Sequence, residues 1–218
     1  MKNTIIISVF ILIVGIYIIN FLNIKKYNLN YEILQKDKPN RNEIVELTRN
    51  KLPLILTGLI EDWFIFDKED NIDQNKLTES VLNENTKILN NVFTISKKYE
   101  INSHLIKDNS KKSKLIQENQ IRNFMCLLQG NISIYLFNPE QKIEYEINNS
   151  GKKESKYSFW NEDKEKLKET NFIEINISSE QILYIPYGWW YCYEIKEDSL
   201  ILDIVSDNIF TKPLKKII

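Results

Sequence analysis

ILYIPYGWWY, residues 182–191, is the passage from which the fold of this chain is read. Ile182 to Ile185 is an apolar, β-branched run of strand length. It stops where Pro186 removes an amide donor and Gly188 offers a backbone free to turn, and a second strand-like run, Trp189 to Ile195, begins at once. Large aromatics at such a turn more often brace the end of a barrel than line a ligand pocket, and Tyr187, Trp189 and Trp190 are the candidates for either role. Working outward, Leu200 to Val205 and Phe172 to Ile177 are further strand candidates, the latter preceded by a charged helical stretch around Asn161 to Thr170. Upstream, FMCLLQ and ISIYLF flank Gly130-Asn131, a pair suited to the positive φ of a tight turn, which predicts a β-hairpin. Thr86 to Ile95 reads as extended, Gln74 to Leu82 as helical, Pro53 to Thr57 as a strand ending at Gly58, and EIVELTRN (residues 43–50) as a short helix. Short strands at this spacing, rich in Ile, Tyr and Trp, point to an antiparallel sandwich or barrel.

Three passages, in this order, resemble JmjC-type cupin-like oxygenases. LPLILTGLIEDW (52–63) is similar to the first strand of that family and its acidic-Trp turn. NFMCLLQG followed by ISIYLFNPEQ (123–141) is similar to its central hairpin, and ILYIPYGWWY to its Pro-x-Gly-Trp-Trp signature. The resemblance covers roughly residues 45 to 205 and implies a mainly β (α+β) fold, a double-stranded β-helix or jelly roll with flanking helices. It also implies Fe(II) held by two histidines and one carboxylate, with 2-oxoglutarate as cosubstrate.

The residues at those positions do not match the chemistry. The resemblance places Gln117 and Asn119 where His-x-Asp or His-x-Glu stands, Tyr191 where the second histidine follows Gly-Trp-Trp, and Ile132 where a lysine pairs with 2-oxoglutarate. Because His104 is the single histidine, no shift of register assembles a two-histidine site within one chain. Neutral amide oxygens do not supply the charge that a carboxylate gives Fe(II). His104 lies in a Lys-rich stretch with no second metal-binding side chain near it in sequence and reads as a surface loop residue. The two cysteines, Cys126 and Cys192, form no CxxC. If Tyr191 faces the barrel interior, alternation turns Cys192 away, and Cys126 shares the face of Phe124 and Leu128 as a small filler. The expectation is therefore a degenerate metal position, no catalytic residue and no bound cofactor.

Ahead of this domain, residues 4–22 (TIIISVFILIVGIYIINFL) carry no charge and are long enough, as a helix, nearly to cross the roughly 30 Å hydrocarbon layer. A cleaved signal peptide has a shorter apolar core and a small-residue cleavage site, and no such site follows. The reading is an N-terminal anchor over residues 1–24, a polar tether over 25–42, the cupin/JmjC-like domain over 43–210 and a short basic tail over 211–218. Lys25 and Lys26 against Lys2 lean the domain to the cytoplasmic side.

The chain has 218 residues, enough for one mid-sized core plus an appendage. A net charge of −1 gives no general field for nucleic acid, which is not expected as a partner. Alanine is absent, arginine occurs only at 41, 49 and 122, and Ile, Asn and Lys abound, the pattern of an AT-rich genome; Lys runs and the sequons at Asn131, Asn148 and Asn176 carry correspondingly little weight. The function expected is a membrane-anchored, catalytically inactive barrel that binds an unknown protein or small molecule. The alternatives are an oxygenase, hydroxylase or demethylase, with an unconventional site that includes Glu118, and a small-ligand or carbohydrate-binding barrel.

Overall fold

The computed structural model describes residues 2–60, 99–106, 111–161, 170–196 and 198–206. The helix expected at Gln74 to Leu82, the extended stretch Thr86 to Ile95, nearly all of the charged stretch at 161–170 and the basic tail lie outside those residues.

Helix α1 (Lys2–Lys25) carries the apolar window Ile5–Asn23, long and apolar enough to cross a membrane by length and composition. Most of its described apolar side chains are exposed, Ile6 by 64% and Phe10 by 65%. Next come β1 (Leu34–Asp37), α2 (Arg41–Arg49) and β2 (Leu54–Thr57). Helix α2 begins two residues earlier than the apolar pattern suggested, because Asn40 caps it. Its side chain accepts from the Asn42 and Glu43 amides while Glu43 reaches back to the Asn40 amide, a complete capping box.

The remaining strands are β3 (Tyr99–Ile106), β4 (Ile116–Gln117), β5 (Arg122–Gln129), β6 (Asn131–Phe137), β7 (Tyr145–Ile147), β8 (Lys153–Ser155), β9 (Ile173–Ser178), β10 (Gln181–Pro186), β11 (Trp190–Ile195) and β12 (Ser199–Ser206). They form two six-stranded sheets, ordered β1-β2-β10-β5-β12-β3 and β7-β8-β4-β11-β6-β9. Stripped of β1, β2, β7 and β8, the order is β10-β5-β12-β3 in one sheet and β4-β11-β6-β9 in the other. Within that set the chain changes sheet at every step except β6 to β9, and every pairing is antiparallel. This is the wiring of a double-sheet jelly roll, the architecture that cupins share.

That wiring overturns the expected hairpin at Gly130-Asn131. Strand β5 pairs with β10 and β12, and β6 pairs with β11 and β9, so the turn is a corner between sheets. Gly130 is needed there twice over: its φ is +93°, and a Cβ would sit 2.2 Å from Ser199 Oγ. Local turn chemistry specifies a reversal, but which edge each strand joins is settled by distant partners.

The sheets bury three layers of side chains. Between them lie Leu127, Ile132, Ile134, Ile177, Trp189, Tyr191 and Ile201 among others. The outer face of the first sheet is covered by Ile44 of α2 and holds Phe124, Cys126 and Leu202. The outer face of the second is covered by Phe159 and Ile143 and holds Phe137, Trp190 and Cys192. Tyr191 thus faces inward and Cys192 outward, as alternation requires, and Cys126 sits with Phe124 as filler.

Two local expectations meet a different structure. Residues 34–37, inside the stretch read as a tether, form β1 and pair in parallel with β2, because the backbone of Leu34 to Asp37 completes the open edge of the first sheet. His104 lies within β3, paired in register with Ile201, and not in a loop. Its Lys-rich neighbourhood in sequence masked a strand whose pairing comes from β12.

Candidate functional site

At one end of the barrel, the start of β5, the end of β10 and the turn into β11 converge. The segment 118–121 between β4 and β5 is stitched to the Pro-Tyr-Gly-Trp turn. The Glu118 amide donates to Trp189 O at 2.8 Å, and the Gly188 amide donates to Glu118 O at 2.8 Å. Gly188 has a φ of +87° and lies so close to Tyr27 that a Cβ would fall 2.5 Å from its ring. These bonds hold Glu118 inside the barrel mouth, where it is 1% exposed.

Glu118 is the hub of a buried polar network. Its Oε1 accepts from the Gln120 amide at 2.6 Å, and its Oε2 from Asn123 Nδ2 at 2.6 Å. Lys152 Nζ lies 3.5 Å from Oε2, and the Tyr191 hydroxyl also hydrogen-bonds this carboxylate. Burial, and then the charges of Glu118 and Asp203, push the Tyr191 hydroxyl well above its usual range, so it stays a neutral donor. Asp203, two residues past inward-facing Ile201 on β12, joins from the opposite sheet. Burial raises its carboxyl to about 7, Lys152 opposes that rise and Glu118 adds to it.

Two residues bonded directly to Glu118 keep polar atoms without a partner among the described residues. Asn123, 1% exposed, spends Nδ2 on Glu118 and leaves Oδ1 unmatched; Trp189, fully buried, leaves its indole Nε1 unmatched. Asn119 Oδ1 is buried and unmatched as well.

The residues singled out from sequence fall in three places. Gln117 Nε2 donates to Gly188 O at 2.8 Å and Asn119 Nδ2 to Gly151 O at 3.2 Å, so both brace loops at the mouth. Tyr191 lies in the network and Ile132 in the apolar layer between the sheets. Trp189 packs inside the barrel with Tyr31 edge-on at 6.4 Å, Trp190 packs on the outer face of the second sheet, and Tyr187 stacks on Tyr27 at 6.3 Å. The inward position on this segment belongs to Glu118, flanked by Gln117 and Asn119. Asn123, Lys152 and Asp203 were not singled out. Asp203 was the legible one, a lone charge inside the run LILDIV, where alternation places it on the face of Ile201.

The set does not fit Fe(II) with 2-oxoglutarate. Both carboxylate oxygens of Glu118 are occupied by protein donors, Tyr191 is held protonated, and among the described side chains no imidazole belongs to the network. Among the described residues, no group of three or more His, Cys, Asp or Glu could hold a metal ion. What the arrangement offers instead is a buried, acceptor-rich cluster with one ammonium and one phenol.

No family model matches the chain, and no curated protein matches it. Solved structures similar to it include two from Campylobacter jejuni. One is WlaRA, a TDP-fucose-3,4-ketoisomerase, at 10% identity and a TM-score of 0.33. The other is WlaRB, a TDP-quinovose 3,4-ketoisomerase, at 12% identity and a TM-score of 0.34. Each match covers 50% of this chain, and 59% and 62% of the respective ketoisomerase, less than two thirds of their length.

Proposed function

We propose that this chain is a membrane-anchored, JmjC-like jelly roll whose metal position has been replaced by an internal hydrogen-bond network, and that the barrel serves as a binding module. The observation that carries the reading is the state of Glu118, a buried carboxylate whose acceptor sites are taken by Gln120, Asn123, Lys152 and Tyr191. A metal ligand must keep a lone pair for the ion, and here those lone pairs serve the protein. The anchor is the apolar window Ile5–Asn23, and the lysines at its end favour a cytoplasmic domain.

The test is metal content and Fe(II) titration of the full chain in detergent, with 2-oxoglutarate present. The expected result is no stoichiometric metal and no 2-oxoglutarate-dependent heat. Stoichiometric, cosubstrate-dependent binding would overturn the reading and make Glu118 and Tyr191 the first residues to mutate. One observation favours a second reading, metal-free proton transfer: Asp203, with its carboxyl near 7, lies within electrostatic reach of the neutral Tyr191 phenol, a pairing suited to general acid–base work.

A further inference from the structure

The segment that follows α1 is fastened to the domain. From a position just past α2, Lys51 donates to the carbonyls of Asn23 and Lys26 at the end of the apolar helix. Its own backbone is left-handed, with a φ of +53°, where glycine is the usual choice after a helix. A lysine there supplies what glycine lacks, a cation for the negative end of α1. Asn28 Nδ2 donates to Asn50 O at 2.9 Å, and the Tyr27 ring lies over Tyr187 and against Gly188. The apolar window of α1 ends at Asn23, so a membrane that holds this window meets the domain at Lys26, Tyr27, Lys51 and Tyr187.

Two arginines stand at the same end. Arg122 opens β5 opposite Pro186, the residue before Tyr187, and by alternation it shares with Phe124 and Cys126 the sheet face that α2 covers. Arg49 is the last residue of α2, two before Lys51. Burial draws the Arg122 guanidinium below its ordinary value, Tyr184 opposes that and the charge of Arg49 adds to it. Burial and then the charge of Lys26 lower the Lys51 ammonium. Lys36, Lys112, Lys114, Lys152 and Lys156 each meet a glutamate, but among the described residues none of Lys26, Arg49 and Arg122 has a carboxylate within ion-pair distance. Cations gathered in this way attract an anion from outside the chain. The choice of side chain narrows which anion: of 29 basic residues three are arginine, and the fold brings two of those three near each other. A guanidinium fork meets a phosphate with two parallel bonds, where an ammonium offers a point charge.

We infer that this end of the barrel rests on the headgroup layer of the membrane that holds α1, and that Lys26, Arg49, Lys51 and Arg122 bind an anionic phospholipid there through its phosphate. Anionic lipids are enriched in the cytoplasmic leaflet, the side to which the lysines at the end of α1 lean the domain. The inference rests on the membrane-anchored reading above and adds the partner of one face.

The probes are phosphatidylserine, phosphatidylcholine and free glycerophosphoserine, each offered to the full chain in detergent micelles and followed by native mass spectrometry. The expected result is saturable binding of phosphatidylserine that weakens with added salt, with the other two about tenfold weaker. Arg49→Gln together with Arg122→Gln is expected to weaken phosphatidylserine binding about thirtyfold, the scale of two basic residues at an anionic surface. Arg122 is half-buried; should the pair fail to fold, Arg49→Gln alone, at an exposed position, is expected to weaken binding about fivefold. Lys142→Gln with Lys156→Gln removes the same charge from exposed positions beside β7 and β8 and is expected to leave binding unchanged.

Phosphatidylcholine bound as tightly as phosphatidylserine, binding indifferent to Arg49→Gln, or an equal loss from the Lys142 and Lys156 substitutions would overturn the inference. Free glycerophosphoserine bound as tightly as the lipid would overturn its membrane source. The same chain in vesicles washed at alkaline pH separates the two failures. Release from the vesicles sinks the anchored reading and this inference with it, whereas a chain that stays and does not prefer phosphatidylserine sinks only this inference.

Discussion

The two ends of one barrel interior are built from the same strands and do opposite things. Toward the corner at Gly130, the space between the sheets is filled by Leu127, Ile132, Ile134, Ile177 and Ile201. Toward the turn at Gly188, the same inner faces of β5, β11 and β12 bring Asn123, Tyr191 and Asp203 around Glu118. On β12 the change takes two residues, from Ile201 to Asp203. Side-chain alternation is indifferent to polarity: it fixes which residues enter the barrel and leaves the sequence to decide whether they fill it or equip it. A fully bonded polar end costs little in stability, whereas a partly bonded one is expensive, and the unmatched Asn123 Oδ1 and Trp189 Nε1 make this the costlier end to bury.

The sharpest break in this comparison is a cavity at the closed end. Leu127→Ala is expected to destabilise the full chain in detergent by about 3–4 kcal/mol, because β10 and β12 flank the site on both sides and limit its collapse. Urea unfolding followed by near-ultraviolet circular dichroism measures it, and a loss below about 1 kcal/mol would show that this end is loosely packed.

At the mouth, Glu118→Leu is expected to cost about 2–3 kcal/mol. It strands Asn123 Nδ2, the Gln120 amide and the Tyr191 hydroxyl, while Lys152, partly exposed, turns to solvent. A cost equal to that of the Leu127 cavity would erase the distinction between the two ends.

The smallest expected effect is one of pH. The Asp203 carboxyl lies near 7 in the folded barrel and near the usual 3.8 in the unfolded chain, so the folded state binds the extra proton between those values. Stability then falls as pH rises through that window and levels off above about 7. Melting temperatures at mildly acidic and mildly alkaline pH should show this fall in the parent chain and a flatter profile in Asp203→Asn. An unchanged slope would place the titrating group elsewhere.

Much of the fold was legible because strands of a jelly roll announce themselves locally. ILYIPYGWWY, the runs around Gly130 and the run LILDIV are all strands where their apolar patterns say so, and Pro186 and Gly188 end one and start the next. The inward turn of Tyr191 and the outward turn of Cys192 followed from alternation alone. The site was less legible. A motif resemblance pointed to Gln117 and Asn119, but the inward residue on that segment is Glu118, and a one-residue difference in register exchanges the faces of a strand.

By itself the sequence determined β2, β5, β6 and β9 to β12, the apolar stretch at residues 4–22, the single histidine and the turn-forming glycines, because each depends on covalent identity or on spacing within a few residues. Only the tertiary structure decided that Gly130 is a corner and not a hairpin, that residues 34–37 join a sheet, and that Glu118, Asn123, Lys152, Tyr191 and Asp203 meet. Those outcomes depend on which strand edges pair across up to 130 residues of chain, from Leu54 to Tyr184, and the free energy that selects them comes from burying both sheets against each other, which no local window contains.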